Sequence, residues 1–286
     1  ILSGKYNAGK GLGIANELNF KAAGELDNGY TWSYSMELDP GENSTSPQSN
    51  ANNDDTKLTL ATPYGTVGVF ISEGGLDVED AASQSVYSRP TDMGDPSSTS
   101  DNFTIDSYNN VQYHTPSGLL PFGTSFKIAY APNTTDSYGS GNNAGAVNGF
   151  GTTNPGRTAT EMQIKSNPYE GLNIGASFME FDDQGLAKMD QDAESGAYYA
   201  TYASGPFSVG YSQAYKAPLA ADATYKTTTT VEYYDQTNYS IAFAATDDLS
   251  ISYEVETSEA NYVNTTTKEQ ESTAVQVAYT MGGMTI

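Results

Sequence analysis

The chain has 286 residues, with 35 Asp and Glu against 12 Lys and Arg and a formal charge of -23, a balance that repels nucleic acid rather than gathering it. It contains no cysteine, which removes disulfide frameworks, thiolate metal sites and cysteine nucleophiles together. No run approaches the roughly 18 apolar residues of a membrane helix, which excludes a helical span but not a β-barrel, whose strands are apolar on one face only.

Such a length suits two ordinary domains or one large β-structure. No basic stretch followed by an apolar one opens the chain, so a secretion signal is expected to have been removed or to lie outside this sequence.

In chain order, "ELNFKAAGELDNGYTWSYSMELD" comes first. Leu18, Phe20 and Ala22 alternate with Glu17, Asn19, Lys21 and Ala23; after a turn at Asp27-Asn28-Gly29, Trp32, Tyr34, Met36 and Leu38 alternate with Ser33, Ser35, Glu37 and Asp39. This period of two predicts a hairpin with one apolar and one polar face. The second pair sets Leu58 and Leu60, then Val67, Val69 and Ile71, around Pro63-Tyr64-Gly65. A third runs from about Tyr108 to Thr115 and returns along Phe126, Ile128 and Tyr130. The fourth has Met162 and Ile164, a turn over 167–171, then Leu172, Ile174, Ala176 and Phe178. In the fifth, Tyr198, Ala200 and Tyr202 lead through Ser204-Gly205-Pro206 to Phe207, Val209 and Tyr211. The sixth joins Ile241 and Phe243 to Leu249, Ile251, Tyr253 and Val255 through Thr246-Asp247-Asp248. A seventh begins at Val275, Val277 and Tyr279 and reaches Met281-Gly282-Gly283.

Turns within pairs are tight, whereas the connections between pairs, over 40–55, about 73–107, 132–158, 182–194, 217–231 and 257–271, are long and polar. Short turns at one end and long loops at the other mark a transmembrane barrel. Alternation alone also fits a soluble β-sandwich, whose apolar face turns to a core. Two further patterns favour the membrane. Trp32, Tyr34, Tyr130, Phe178, Phe207 and Tyr211 recur near strand ends, where interfacial girdles form. The polar face carries Glu17, Lys21, Glu25, Glu37, Lys57, Lys127, Glu161, Lys165, Glu254 and Glu256, each of which would cost about 2 to 4 kcal/mol at mid-bilayer on the lipid side. Glu180 and Asp235 break the pattern at loop-facing ends, where that cost fades.

The expected fold is therefore all-β: one transmembrane, antiparallel, up-and-down β-barrel domain over 1–286. At this point the layout resembles the general diffusion porins of Gram-negative outer membranes, above all the alphaproteobacterial type. The carrying stretches are "NELNFKAAGELDNGYTWSYSMELD", "KLTLATPYGTVGVFISEGG" and "TNYSIAFAATDDLSISYEVE". The resemblance implies a trimeric barrel of sixteen strands, of which about thirteen complete ones are visible, with a remnant of the first at Ile1 to Tyr6 and the start of the fifteenth at Met284 to Ile286. A barrel must close to remove its edges, so the sequence is expected to be an incomplete stretch of a longer protein.

In the family, one loop folds inward and narrows the pore. Its positional match is "SEGGLDVEDAASQSVYSRPTDMGDPSSTSDNFTID", where Gly74-Gly75 permits a sharp bend. Asp77, Glu79, Asp80, Asp92 and Asp95 would bring negative charge into the lumen with one cation, Arg89, facing Lys21 and Lys57 on the wall with Glu17 nearby. A transverse field at such a waist orients polar solutes and filters ions, and the acid excess predicts cation preference. The alternative is an ordinary solvated surface loop, but about 30 residues without clear periodicity is unusual enough to favour the inward, functional reading.

Other chemistry has thin support. His114 is the sole histidine, so a Ser-His-Asp triad would need it; a lumen or rim side chain is the plainer assignment. Asp190, Asp192 and Glu194 stand at alternate positions in "MDQDAESG" and could hold a structural calcium ion, although without the EF-hand pattern a solvated acidic loop is the simpler reading. Glu254 and Glu256 could be a glycosidase pair, yet such neighbours are common on a polar strand face. Gly9, Gly11 and Gly13 lack the Lys-Ser/Thr of a phosphate loop, and Asn43 and Asn133 begin glycosylation triplets that matter only in a glycosylating pathway.

The expected function is passive outer-membrane diffusion of small hydrophilic solutes and ions, without catalysis or an organic cofactor, by a homotrimer in contact with outer-membrane lipid and lipopolysaccharide. The alternatives are a secreted or surface β-sandwich adhesin without a pore and a substrate-specific channel.

Overall fold

A computed structural model describes residues 18–39, 52–91, 102–134, 158–182, 189–191, 193–218, 220–221, 231–262, 265–281 and 284–285. Its strands are β1 (Leu18–Glu25), β2 (Thr31–Asp39), β3 (Asn52–Thr62), β4 (Gly65–Ile71), β5 (Asn110–His114), β6 (Ser125–Ala131), β7 (Thr158–Tyr169), β8 (Leu172–Asp182), β9 (Met189–Gln191), β10 (Glu194–Ser204), β11 (Phe207–Ala217), β12 (Ala220–Ala221), β13 (Val231–Ala244), β14 (Leu249–Tyr262), β15 (Lys268–Met281) and β16 (Met284–Thr285). All but β9 and β12 form one sheet of 14 strands in chain order, every neighbour antiparallel. That is the up-and-down order expected. The short β9 and β12 pair with each other and tie two long connections together. Among the described residues no ladder joins the first strand of the sheet to its last, and the expected remnant at Ile1 to Tyr6 lies outside them.

Register puts like with like. Leu18 faces Leu38, Phe20 faces Met36 and Ala22 faces Tyr34. The apolar row continues through Leu58 to Val69, Val69 to Val111 and Val111 to Tyr130. Because side chains alternate strictly along a strand, one face collects the whole apolar set. That face is the bare one: Leu18 is 55% exposed, Val69 47% and Ile251 38%, while Glu161 is 1% exposed and Glu254 0%. Aromatic rings line up on the same side, with Phe207 stacked on Phe243 at 4.7 Å and Tyr211 against Tyr239 at 5.2 Å between centroids. In water this arrangement leaves apolar area unburied; against hydrocarbon the same rows need no protein cover.

Placing a charge in that row tests the assignment. Val69→Lys is expected to destabilise the folded barrel in lipid vesicles by about 2 to 4 kcal/mol, read from reversible denaturant titration. Ala23→Lys, on the opposite and exposed face of β1, should leave stability nearly unchanged.

The only large apolar clusters of buried side chains found among the described residues lie on the polar face, under the segment between β4 and β5. Leu76, Phe103, Ile105 and Tyr108 from that segment pack on Ala129, Ala131, Ala159, Met179 and Phe181 of the sheet, with Phe103 and Tyr108 both edge-on to Phe181. Val78 and Ala82 pack on Ala197, Tyr199 and Ala214. Phe70, an apolar residue on the polar face of β4, is 5% exposed for the same reason.

Three boundaries differ from expectation. The connection expected over 257–271 is mostly strand, since β14 runs to Tyr262 and β15 starts at Lys268. Likewise β3 begins at Asn52 inside the expected loop 40–55, and β7 continues through a bulge to Tyr169, which shrinks the turn expected over 167–171. Apolar alternation stops where the lipid stops, but ladder hydrogen bonds do not need it. Pairs such as Thr257 with Glu271 and Ser258 with Gln270 extend the sheet beyond the apolar band.

Candidate functional site

The described parts of the segment between β4 and β5, where a constriction loop is expected, lie across the polar face of the sheet. Its entry is a tight reversal. Ser72 has φ 55 and Gly74 φ 90, and a Cβ on Gly74 would lie 2.5 Å from Gln112 Nε2, so the bend requires glycine. Gln112 Nε2 donates to the Gly74 carbonyl at 2.6 Å and Asn110 Nδ2 to the Glu73 carbonyl at 3.2 Å.

From there the wall offers polar partners on successive strands. On β7, Glu161 Oε2 accepts from the Leu76 amide at 3.2 Å, and Gln163 Nε2 donates to the Leu76 carbonyl at 2.6 Å. On β8, Ser177 Oγ accepts from the Val78 amide. A short 3-10 turn over Glu79–Ala82 crosses β11, where Ser212 Oγ donates to the Glu79 carbonyl at 3.1 Å. On β13, Ser240 Oγ donates to the Ala82 carbonyl at 2.7 Å and accepts from the Gln84 amide. Glu254 on β14 accepts from the Ser83 and Ser85 hydroxyls, and Ser252 Oγ accepts from the Val86 amide. Gln276 on β15 accepts from the Tyr87 and Ser88 amides, and Glu256 accepts from both donors of Thr91. The return limb is held by Ser195 Oγ, which accepts from the Phe103 amide, and again by Glu161 Oε2, 2.9 Å from the Ile105 amide. Glu161 thus clips outgoing and returning limbs with one buried oxygen. With so many bonded backbone groups, the described limbs of the segment, 73–91 and 102–109, behave as part of the wall rather than as a flap.

The named candidates separate clearly. Asp77 accepts from Ser177 Oγ at 2.9 Å and Asn102 Nδ2 at 3.2 Å and keeps partial exposure. Glu79 is buried at 7% and accepts from the Asn102 amide, so it braces the loop instead of facing open space. Arg89 pairs with Asp80 and lies 3.5 Å from Glu256; its side chain is 14% exposed against 63% for Asp80. The exposed charge of this stretch is therefore the acid. Lys57 does not face the loop from across a waist but pairs with Glu73 at its root, while Lys21 is exposed on β1. Glu17, Asp92 and Asp95 lie outside the described residues. Asp106, in the return limb, has its carboxyl pushed up by burial and by the nearby Asp77, against a lowering hydrogen bond from Thr104. These opposing contributions come from one crowded acidic neck.

The remaining constellations do not assemble. His114 Nε2 lies 2.7 Å from Gln112 Oε1, an amide where a triad would need an acid. Glu254 and Glu256 are both occupied by the loop and by Asn238. Asp192 and the side chain of Asp190 lie outside the described residues, while Glu194 accepts from Tyr215 Oη at 3.3 Å. Among the described residues no group of three or more His, Cys, Asp or Glu is placed to hold a metal ion. Sequence reasoning named Glu161, Glu254 and Glu256 as polar-face charges but missed their task. The available signal was the run of Ser, Gln and Glu at alternate inward positions on β7 to β15.

The description "Gram-negative porin" belongs to the family whose profile matches residues 3–286. The chain belongs to the Gram-negative porin family. Solved porins share the fold. A porin refined at 1.8 Å resolution superposes with a TM-score of 0.56 at 15% identity, covering 93% of this chain and 82% of that one. OmpT, an outer membrane protein of Vibrio cholerae, gives 0.61 at 10% identity over 94% and 75%. Salmonella typhi OmpF, in a complex with daunomycin, gives 0.54 at 12% over 96% and 82%. No curated protein matches the chain. Membership makes this porin an outer-membrane channel for passive diffusion. The exposed apolar face accords with that and not with a soluble sandwich adhesin, which would bury it.

Proposed function

We propose that this porin passes small hydrophilic solutes and ions through a waist formed by the loop over residues 73–107, with preference for cations, as a homotrimer whose outward face meets lipid and, on the long-loop side, lipopolysaccharide. The observation that carries the reading is the loop's position. It lies along the polar face, and Arg89 is shared between Asp80 and Glu256, so the group keeps one net negative charge, with the paired Asp80 on its exposed side. A fixed negative charge beside a narrow water path raises local cation concentration and depletes anions. The trimer finds support in the V. cholerae OmpT trimer form, which superposes at a TM-score of 0.54 and 12% identity.

Reversal potentials across a planar bilayer under a KCl gradient test this. The full-length protein should favour potassium over chloride, and Asp77→Asn/Asp80→Asn should lower that ratio roughly threefold, as expected for removing two charges within a few ångströms of the path. A native channel that prefers chloride, or a variant with unchanged selectivity, would overturn the assignment.

A further inference from the structure

The cations of the polar face fall into two kinds. Lys57 pairs with Glu73, Arg89 with Asp80 and Glu256, and Lys216 Nζ sits over the Phe103 ring at 4.4 Å. Lys127 and Lys165, like the exposed Lys21 of β1, have no ion pair among the described residues, in a protein of charge -23. They stand on neighbouring strands of the same face. Lys127 pairs in register with Gln163 and with His114, and Lys165 with Ser125, so the two lysines are diagonal neighbours and His114 is adjacent. Like charges at such positions are unfavourable unless something neutralises them.

Their height is fixed by the loop. Gln163 and Gln112, which hold the Leu76 and Gly74 carbonyls, lie one inward position from Lys165 and His114 toward the long-loop end. The cationic group therefore sits directly beneath the loop's neck, on the short-turn side. Lys165 has a seat there. A Cβ on Gly175 would come within 3.1 Å of Lys165 Cγ and 2.6 Å of Tyr199 Cε1, so the bare glycine makes room for the lysine stem. The neighbouring inward side chains are neutral: Thr66, Ser125, Asn173 and Thr201.

We propose that Lys127 and Lys165, flanked by His114, form an oxyanion-binding site on the short-turn side of the constriction loop, suited to solutes that carry phosphate groups. Diagonal neighbours stand about 7 Å apart at the backbone, and lysine stems are long enough for both ammonium groups to converge on one tetrahedral group as point-charge donors. Acid on the loop and base beneath it place opposite charges in sequence along the path. An anion approaching from the short-turn side reaches the lysines without crossing the acidic waist. The site rests on the pore reading above and gives it a polarity.

The test is block of KCl conductance by inorganic pyrophosphate, added to each chamber in turn, with the full-length protein in a planar bilayer. Block should be stronger from the short-turn side. Lys127→Gln/Lys165→Gln should weaken it about tenfold, the size of losing about 1.4 kcal/mol of interaction, while KCl conductance persists. Lys127→Arg/Lys165→Arg should retain block, which separates lost charge from disturbed folding. A wild-type channel that conducts but is blocked equally from both sides, or not at all, overturns the site and leaves the channel reading standing. Absence of conductance overturns both.

Discussion

Glu161→Leu is expected to free the loop between β4 and β5 without unfolding the barrel. One carboxylate oxygen accepts from Leu76 on the outgoing limb and Ile105 on the return, and the residue is 1% exposed. Leucine leaves two buried amides without acceptors, at about 1 to 3 kcal/mol each. The strand ladders of β6, β7 and β8 do not depend on this side chain, so the sheet should assemble. Single-channel recordings should show larger mean conductance and more open-state noise. Hydrogen exchange at the Leu76 and Ile105 amides should speed up at least tenfold, corresponding to a loss of about 1.4 kcal/mol of local protection. Glu161→Gln presents a carbonyl oxygen at the same place and should stay near wild type. Unchanged exchange in the leucine variant would show that packing of Leu76, Phe103 and Ile105 holds the loop unaided.

Gly210→Val is expected to act in the opposite direction. Gly210 lies on the inward side of β11, and a Cβ there would lie 1.8 Å from the Ala82 carbonyl oxygen and 2.8 Å from its carbon. Both are backbone atoms, so no side chain can rotate away and the loop itself has to move off the wall. That shift breaks the Ser240 hydrogen bonds to Ala82 and Gln84 and costs on the order of 1 to 3 kcal/mol in overpacking. The displaced turn over Glu79–Ala82 has only the lumen to enter, so single-channel conductance should fall. Gly210→Ala should show the same sign with smaller size, because its single methyl meets the same carbonyl. Higher conductance in both variants would mean that the loop leaves the wall without entering the path.

The two substitutions expose where local pattern stops being informative. Glu161, Glu254 and Glu256 were legible as water-facing because they stand opposite apolar neighbours one residue away. Their role as acceptors for the loop was not, because the donors are remote. The Ser85 hydroxyl reaches Glu254 across 169 positions, and the Tyr87 amide reaches Gln276 across 189. Nothing local to Gly210 signals the Ala82 carbonyl that lies against it. Similarly, Lys127 and Lys165 each read as a polar-face charge, and only the pairing of β5, β6 and β7 makes them neighbours of His114.

By itself the sequence determined the two faces, since a period of two sorts each side chain to one side before any strand finds its partner, and the loop asymmetry, aromatic rows and polar-face charges turned the apolar side to lipid. It also determined the pairing within each hairpin, because a tight turn leaves antiparallel pairing with the next strand as the short connection. Tertiary structure alone decided where the acidic loop goes, which of its charges stay open and which cations it neutralises. Those outcomes depend on the curvature and register of strands far apart in the chain. Buried hydrogen bonds formed over such separations leave no periodic mark in the residues that make them.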